Sequence, residues 1–155
     1  MATWLFQGNP RNFAINEYLR AHRDIIWHVK QELLSGEMRR GDPVYIWRAE
    51  GNVPGTGGVV AHGTLSGPVM VRPNENVGMW VRNKPSVTIQ TVLVKLDDVR
   101  LTLREGCLLR SELQADSILR NLHILRMPGL TNYKLLPAEA ECLAQLWEGR
   151  KRRDL

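Results

Sequence analysis

Five tryptophans in 155 residues are the side chains with the most to offer a ligand. Trp27, Trp47 and Trp80 fall on or beside predicted strands, whereas Trp4 and Trp147 fall at element ends where core packing accounts for them. An aromatic face that stays accessible can stack an unstacked base, a contact worth about 1–3 kcal/mol per base. Core burial is the competing role for each ring. Trp47 runs directly into Arg48 and then into the glycine-rich stretch Gly51-Asn52-Val53-Pro54-Gly55-Thr56-Gly57-Gly58. That order sets a cation and approachable backbone amides beside a stacking surface. The same glycines precede a strand instead of opening a helix, and no Gly-Lys-Ser/Thr follows, so they do not form a nucleotide phosphate loop.

Little in the chain suits catalysis. There is no Gly-x-Ser-x-Gly elbow, and neither Cys107 nor Cys142 has a second Cys or a His at zinc-ligand spacing. Two reduced, buried thiols are the expectation. His22, His28, His62 and His123 occur singly, with no His-x-x-x-His pair. Asp97-Asp98 reads as a solvated turn and Glu139-x-Glu141 as first-turn helix charge. The expectation is a binding protein with no catalytic centre, metal or cofactor.

Hydrophobic residues at 43% and charged residues at 24% describe an ordinary globular chain whose length suits one domain. The formal charge of +5 is concentrated at the end, in Arg150-Lys151-Arg152-Arg153. Residues 1–149 carry 17 basic against 15 acidic side chains, only +2, so residues 149–155 read as a basic tail or the start of a linker. No run approaches the roughly 20 apolar residues of a membrane span, and the N-terminus lacks the basic and apolar regions of a signal peptide. A cytoplasmic protein with no membrane partner is expected.

The elements that must position these side chains alternate between short strands and isolated helices. Trp4–Gln7 reads as a strand broken by Gly8-Asn9-Pro10; Ile15, Tyr18, Leu19 and His22 then repeat at helical spacing. A second strand runs from Ile25 to Val29, with one helical turn expected within 31–35. A third covers Val44–Trp47, in which Tyr45 and Trp47 share one face while Val44, Ile46 and Arg48 share the other. A long strand is expected from Val59 to about Val71, and another from Val87 to Leu96. Residues 72–86 read as a loop and His123–Arg126 as extended. Pro137 suits the first position of a final helix carrying Ala140, Leu143, Ala144 and Trp147 on one face. The class is α+β, a small barrel of about five to six strands with peripheral helices.

The motifs Trp4-Leu5-Phe6-Gln7-Gly8-Asn9-Pro10, Ile26-Trp27-x-Val29, Gly41-Asp42-Pro43-Val44-Tyr45-Ile46-Trp47 and Pro54-Gly55-x-Gly57-Gly58 follow one another in an order that resembles the EVE domain, a PUA-like barrel related to YTH domains. The likeness continues through Arg126-Met127-Pro128-Gly129-Leu130-Thr131-Asn132-Tyr133 and Leu146-Trp147, so it covers essentially the whole chain, with a domain over 1–148. The closing pattern resembles EVE domains placed ahead of an HNH nuclease in modification-dependent restriction enzymes; no nuclease residues are present here. The resemblance implies a pocket for a flipped, modified base, 5-methylcytosine or 5-hydroxymethylcytosine in double-stranded DNA. It implies Trp27 and Trp47 as walls, Trp80 as a third, and Asn9, Ala49, Thr131, Asn132 and Tyr133 as rim or polar floor. Arg39, Arg40 and Arg48 are the expected phosphate contacts. The alternatives are an RNA reader of YTH or PUA type and a small-molecule-binding regulator.

Overall fold

Strand-forming residues bounded by turn residues produce most of the architecture. The computed structural model describes residues 1–73, 79–82 and 88–150. Its elements in chain order are β1 (Trp4–Gly8), α1 (Ile15–Ala21), β2 (Asp24–His28), α2 (Glu32–Ser35), β3 (Pro43–Arg48), β4 (Gly58–Leu65), β5 (Met70–Pro73), β6 (Thr88–Val99), β7 (Leu108–Leu109), α3 (Arg110–Ala115), a 3-10 turn (Leu119–Asn121), α4 (His123–Arg126), β8 (Asn132–Lys134) and α5 (Pro137–Gly149).

The strands form one mixed sheet in the order β2-β6-β4-β3-β1-β8, with β5 also on β6 and β7 also on β4. β1 and β3 run parallel, Trp4 opposite Val44 and Gln7 opposite Trp47; β8 joins the far side of β1 antiparallel. The mixed sheet forms a small half-barrel of the α+β class. Its interior holds Trp4, Phe6, Val44, Ile46, Val92 and Val94 together with Ile15, Tyr18 and Leu19 of α1. A second apolar layer lies on the outer face, where Leu5, Tyr45 and Trp47 meet Leu113, Leu119, Leu143 and Trp147. The period-2 alternation of β1 and β3 feeds one layer with each face.

Two register slips adapt the sheet. Between Ile46 and Trp47 the pairing to β4 moves from Ala61 to Val59, so Val60 is the extra residue, and Val60 and Ala61 both join the interior. Between His62 and Gly63 the pairing to β6 moves from Asp98 to Leu96, which makes Asp97 the extra residue. Asp97-Asp98 therefore belongs to a strand, not a turn: the slip lets Asp97 pair with His62 and Asp98 with Arg100. The long strand expected from Val59 divides into β4 and β5, and His123–Arg126 is helical, because Ile124 tucks into the outer layer beside the preceding 3-10 turn. Val87 lies outside the described residues.

The glycine-rich loop between β3 and β4 is a packing device. A Cβ on Gly58, at φ +151°, would stand 2.0 Å from the Leu108 carbonyl oxygen, so only glycine lets β7 approach β4. Arg150, expected in a free tail, instead pairs with Glu112 of α3; residues 151–155 lie outside the described residues.

Trp47 is 4% exposed in the outer layer. Trp47→Ala is expected to lower unfolding stability by about 3–5 kcal/mol, as for other large-to-small core changes, measured by urea denaturation.

Candidate nucleic-acid interface

A cleft of about 250 Å³ opens where β1 ends, beside the end of β2. Drug-sized ligands occupy sites of roughly 300–1,000 Å³, so this one suits a single planar ring. Its apolar walls are Phe13, Trp27 and Trp80; Gln7, Gly8 and Asn9 form one rim, His28 and Lys30 a second, and Pro128–Thr131 a third.

Each wall has a local cause. Gly8 ends β1, and a side chain there would come within 2.8 Å of Ile15 and 3.1 Å of the Trp27 ring, so its bare Cα keeps that corner open. The Asn9 side chain accepts from the Arg11 amide at 3.0 Å and its carbonyl from the amides of Asn12 and Phe13, which turns the chain so that Phe13 faces inward. Phe13 forms an isolated bridge with Trp80, and their rings stand 4.9 Å apart; Phe13 meets Trp27 edge-on at 6.4 Å. Trp80 also stacks on His28 at 4.9 Å with 21° between the planes. Its Nε1 is buried with no hydrogen-bond partner among the described residues.

Burial, followed by the charge of Lys30, pushes the His28 imidazole down to about 4, so it is neutral at physiological pH and presents one donor and one acceptor. No acidic residue lines the cleft among the described residues. Lys30 is at its edge; exposed Arg11 follows the Asn9 turn, Arg82 bonds the Asn12 side chain at 3.0 Å, and exposed Arg126 precedes the third rim. Lys30 in the lining and Arg82 on Asn12 thus place positive charge beside the cleft, a setting that favours an anionic partner.

Behind the rims lies a polar latch. Asn132, fully buried, accepts from the Lys30 amide at 2.8 Å and donates to the His28 carbonyl at 2.9 Å. Gln31 reciprocates, its side-chain oxygen accepting from the amides of Asn132 at 2.7 Å and Thr131 at 3.2 Å.

The expected site residues separate accordingly. Asn9, Trp27, Trp80 and Thr131 come together at the cleft. Trp47 does not: it points to the sheet's outer face, because strand phase permitted either face and the helical layer covers this one. Arg48 is buried, its guanidinium donating to the Thr56 carbonyl and to Asn16 Oδ1, so it holds the β3–β4 loop and is not free for phosphate. Arg39 and Arg40 sit in the turn whose Asp42 binds the Trp4 indole, at the opposite end of β1 from Gly8. Ala49 only extends the β1–β3 pairing, its amide donating to the Gly8 carbonyl. Tyr133 is buried in the outer layer, with its hydroxyl tying the third rim, and Asn132 is the latch, not the floor. Phe13, His28 and Lys30 escaped the sequence reading. Strand alternation places neighbours on opposite faces, so nothing local signalled that His28 shares the cleft with Trp27.

The family model for the EVE domain matches residues 2–146, and the chain belongs to that family. Among solved structures, a hypothetical protein from Leishmania major superposes with a TM-score of 0.66 at 16% identity, covering 96% of this chain and 95% of that one. Human THYN1, solved in complex with 5-methylcytosine-containing DNA, gives 0.65 at 14% identity over 96% and 98% of the two chains. A Rhodopseudomonas palustris protein solved by NMR gives 0.63 at 14% identity over 96% and 94%. Likeness at these identities establishes the fold. No match is found among curated protein sequences. No helix among the described residues is long and apolar enough to cross a membrane.

Asn132→Ala is expected to strand the Lys30 amide and the His28 carbonyl and to cost about 2–4 kcal/mol, read by urea denaturation. For His28 the folded pKa lies below the unfolded value of 6.5. The unfolded chain therefore binds the proton first, and stability contributed by the neutral ring falls as pH drops from 6.5 to about 4. In His28→Gln the denaturation midpoint is expected to change less across that window than in the parent protein.

Proposed function

We propose that this chain is a non-catalytic reader of a modified base in DNA, which it takes into the cleft formed by Phe13, Trp27 and Trp80. The carrying observation is the ring-sized aromatic cleft, free of acidic lining among the described residues, with Lys30 in its lining and Arg82 bonded to the lining residue Asn12. The fold shared with human THYN1, whose structure contains 5-methylcytosine DNA, supports the same reading.

The energetics are consistent with this role. Extruding a base costs a few kcal/mol, and stacking on one aromatic face returns about 1–3 kcal/mol. Neutral His28, in the cleft lining, is a group able to meet the polar edge of the base. Burying one added methyl contributes about 0.8 kcal/mol, close to a fourfold preference for the modified base. The cations at the mouth bind phosphate without regard to sequence, and their contribution falls as salt rises. Recognition here is binding alone; cleavage would need a nuclease domain such as those joined to related EVE domains.

Fluorescence anisotropy on duplexes that differ in a single cytosine, unmodified, 5-methylated or 5-hydroxymethylated, tests the reading. A modified duplex is expected to bind more tightly, and Trp80→Ala, which removes a partly buried ring, is expected to abolish that preference while the circular dichroism spectrum stays unchanged. Equal, salt-sensitive binding to all three duplexes would reject base reading and redirect attention to RNA; salt-insensitive binding of a small ligand would make the chain a regulator.

A further inference from the structure

The third rim of the cleft is held more firmly than a surface loop requires. The Gln7 side chain donates to the carbonyls of Pro128 and Leu130, both at 2.7 Å. The Tyr133 hydroxyl donates to the Met127 carbonyl at 2.6 Å and accepts from the Leu130 amide at 3.0 Å. The Thr131 amide donates to Gln31, and the Thr131 carbonyl accepts from the Gln7 amide at 2.8 Å. Two of the three anchoring side chains come from elements far away in sequence, and Tyr133 is rooted in the outer core. The polar backbone of this segment is therefore tied down on both sides.

At the start of this immobilised segment Met127 is 54% exposed. It caps α4, its own amide bonded to the His123 carbonyl at 2.8 Å, and it directly precedes Pro128, which lines the cleft. The cleft-lining rim is thus immediately preceded by an exposed, unbranched apolar side chain on a hydrogen-bonded backbone, and before it by exposed Arg126, whose Nε donates to the Asn121 carbonyl at 3.3 Å. Extruding a base from a duplex leaves a gap between two stacked neighbours. Apolar side chains, methionine among them, are the groups that proteins insert between base steps, and the thioether chain fits irregular space without fixed geometry.

We propose that Met127 is the wedge that enters the duplex where the base has left, with Arg126 on the adjoining phosphate; this rests on the reading of the cleft as a base pocket. A wedge acts only on paired DNA, because a single strand has no stacked gap to fill. Its signature is a loss confined to the duplex.

The test compares Met127→Ala and Met127→Leu with the parent protein on a 5-methylcytosine duplex and on the same modified strand alone. Met127→Ala is expected to bind the duplex roughly tenfold more weakly and the single strand unchanged, with Met127→Leu retaining duplex binding. Unchanged duplex affinity in Met127→Ala, or equal loss on both forms, overturns the wedge. Parent protein that binds the modified strand but not the duplex overturns the wedge and leaves the cleft reading standing; binding to neither overturns both.

Discussion

A carboxamide stands between the two ends of the strand order in this protein, and the geometry of the cleft depends on it. β2 and β8 occupy opposite ends of the sheet and do not pair with each other. Asn132, in the first position of β8, offers its amide to the chain just beyond β2 in the way a neighbouring strand would, accepting from Lys30 and donating to His28. Without that bridge a part-buried amide and a part-buried carbonyl would lose their partners, at about 1–3 kcal/mol each at most. With it, the residues after β2 and the segment before β8 become facing rims at a fixed separation. Gln31 returns the favour across the same gap, so the two rims hold each other.

The aromatic wall shows how binding surface is drawn from core. Trp27 is only 5% exposed and packs among the interior residues, yet an edge of it reaches the cleft because Gly8 has no side chain to cover it. Such a ring is rigid because the core fixes it, and a fixed ring loses little conformational freedom when a ligand packs against its edge. Phe13 and Trp80 complete the wall from a turn and from the connection between β5 and β6. His28 adds a neutral polar ring, kept neutral by the same burial that supports the aromatic stack.

The two apolar layers divide the labour. The interior sets the barrel's curvature, while the outer layer of α3, α5 and the 3-10 turn covers the face that carries Tyr45 and Trp47. Tyr133 connects that layer to the cleft, since its ring is buried there and its hydroxyl fixes the third rim. Asn132 and Tyr133, implied by the family resemblance as rim or polar floor, instead hold the backbone behind the rims.

From local patterning alone the strands read at Trp4–Gln7, Ile25–Val29 and Val44–Trp47, each within a residue of the observed β1, β2 and β3, the helices α1 and α5, and the barrel class were readable, because alternation and helical periodicity are properties of adjacent residues. The family was legible too, since its motifs are local strings. The helical form of His123–Arg126 was not, because its apolar residues are satisfied by a layer assembled from distant segments. Neither was the side of the sheet on which Trp47 and Arg48 would act. Strand phase says that Trp47 and Arg48 point opposite ways, but which way is inward depends on what covers each face, and that is decided only when α3 and α5 dock. The cleft itself joins residues 7–13, 26–30, 80 and 128–131. No spacing in the chain encodes that meeting; it comes from sheet order and from the Asn132 bridge, both of which exist only in three dimensions.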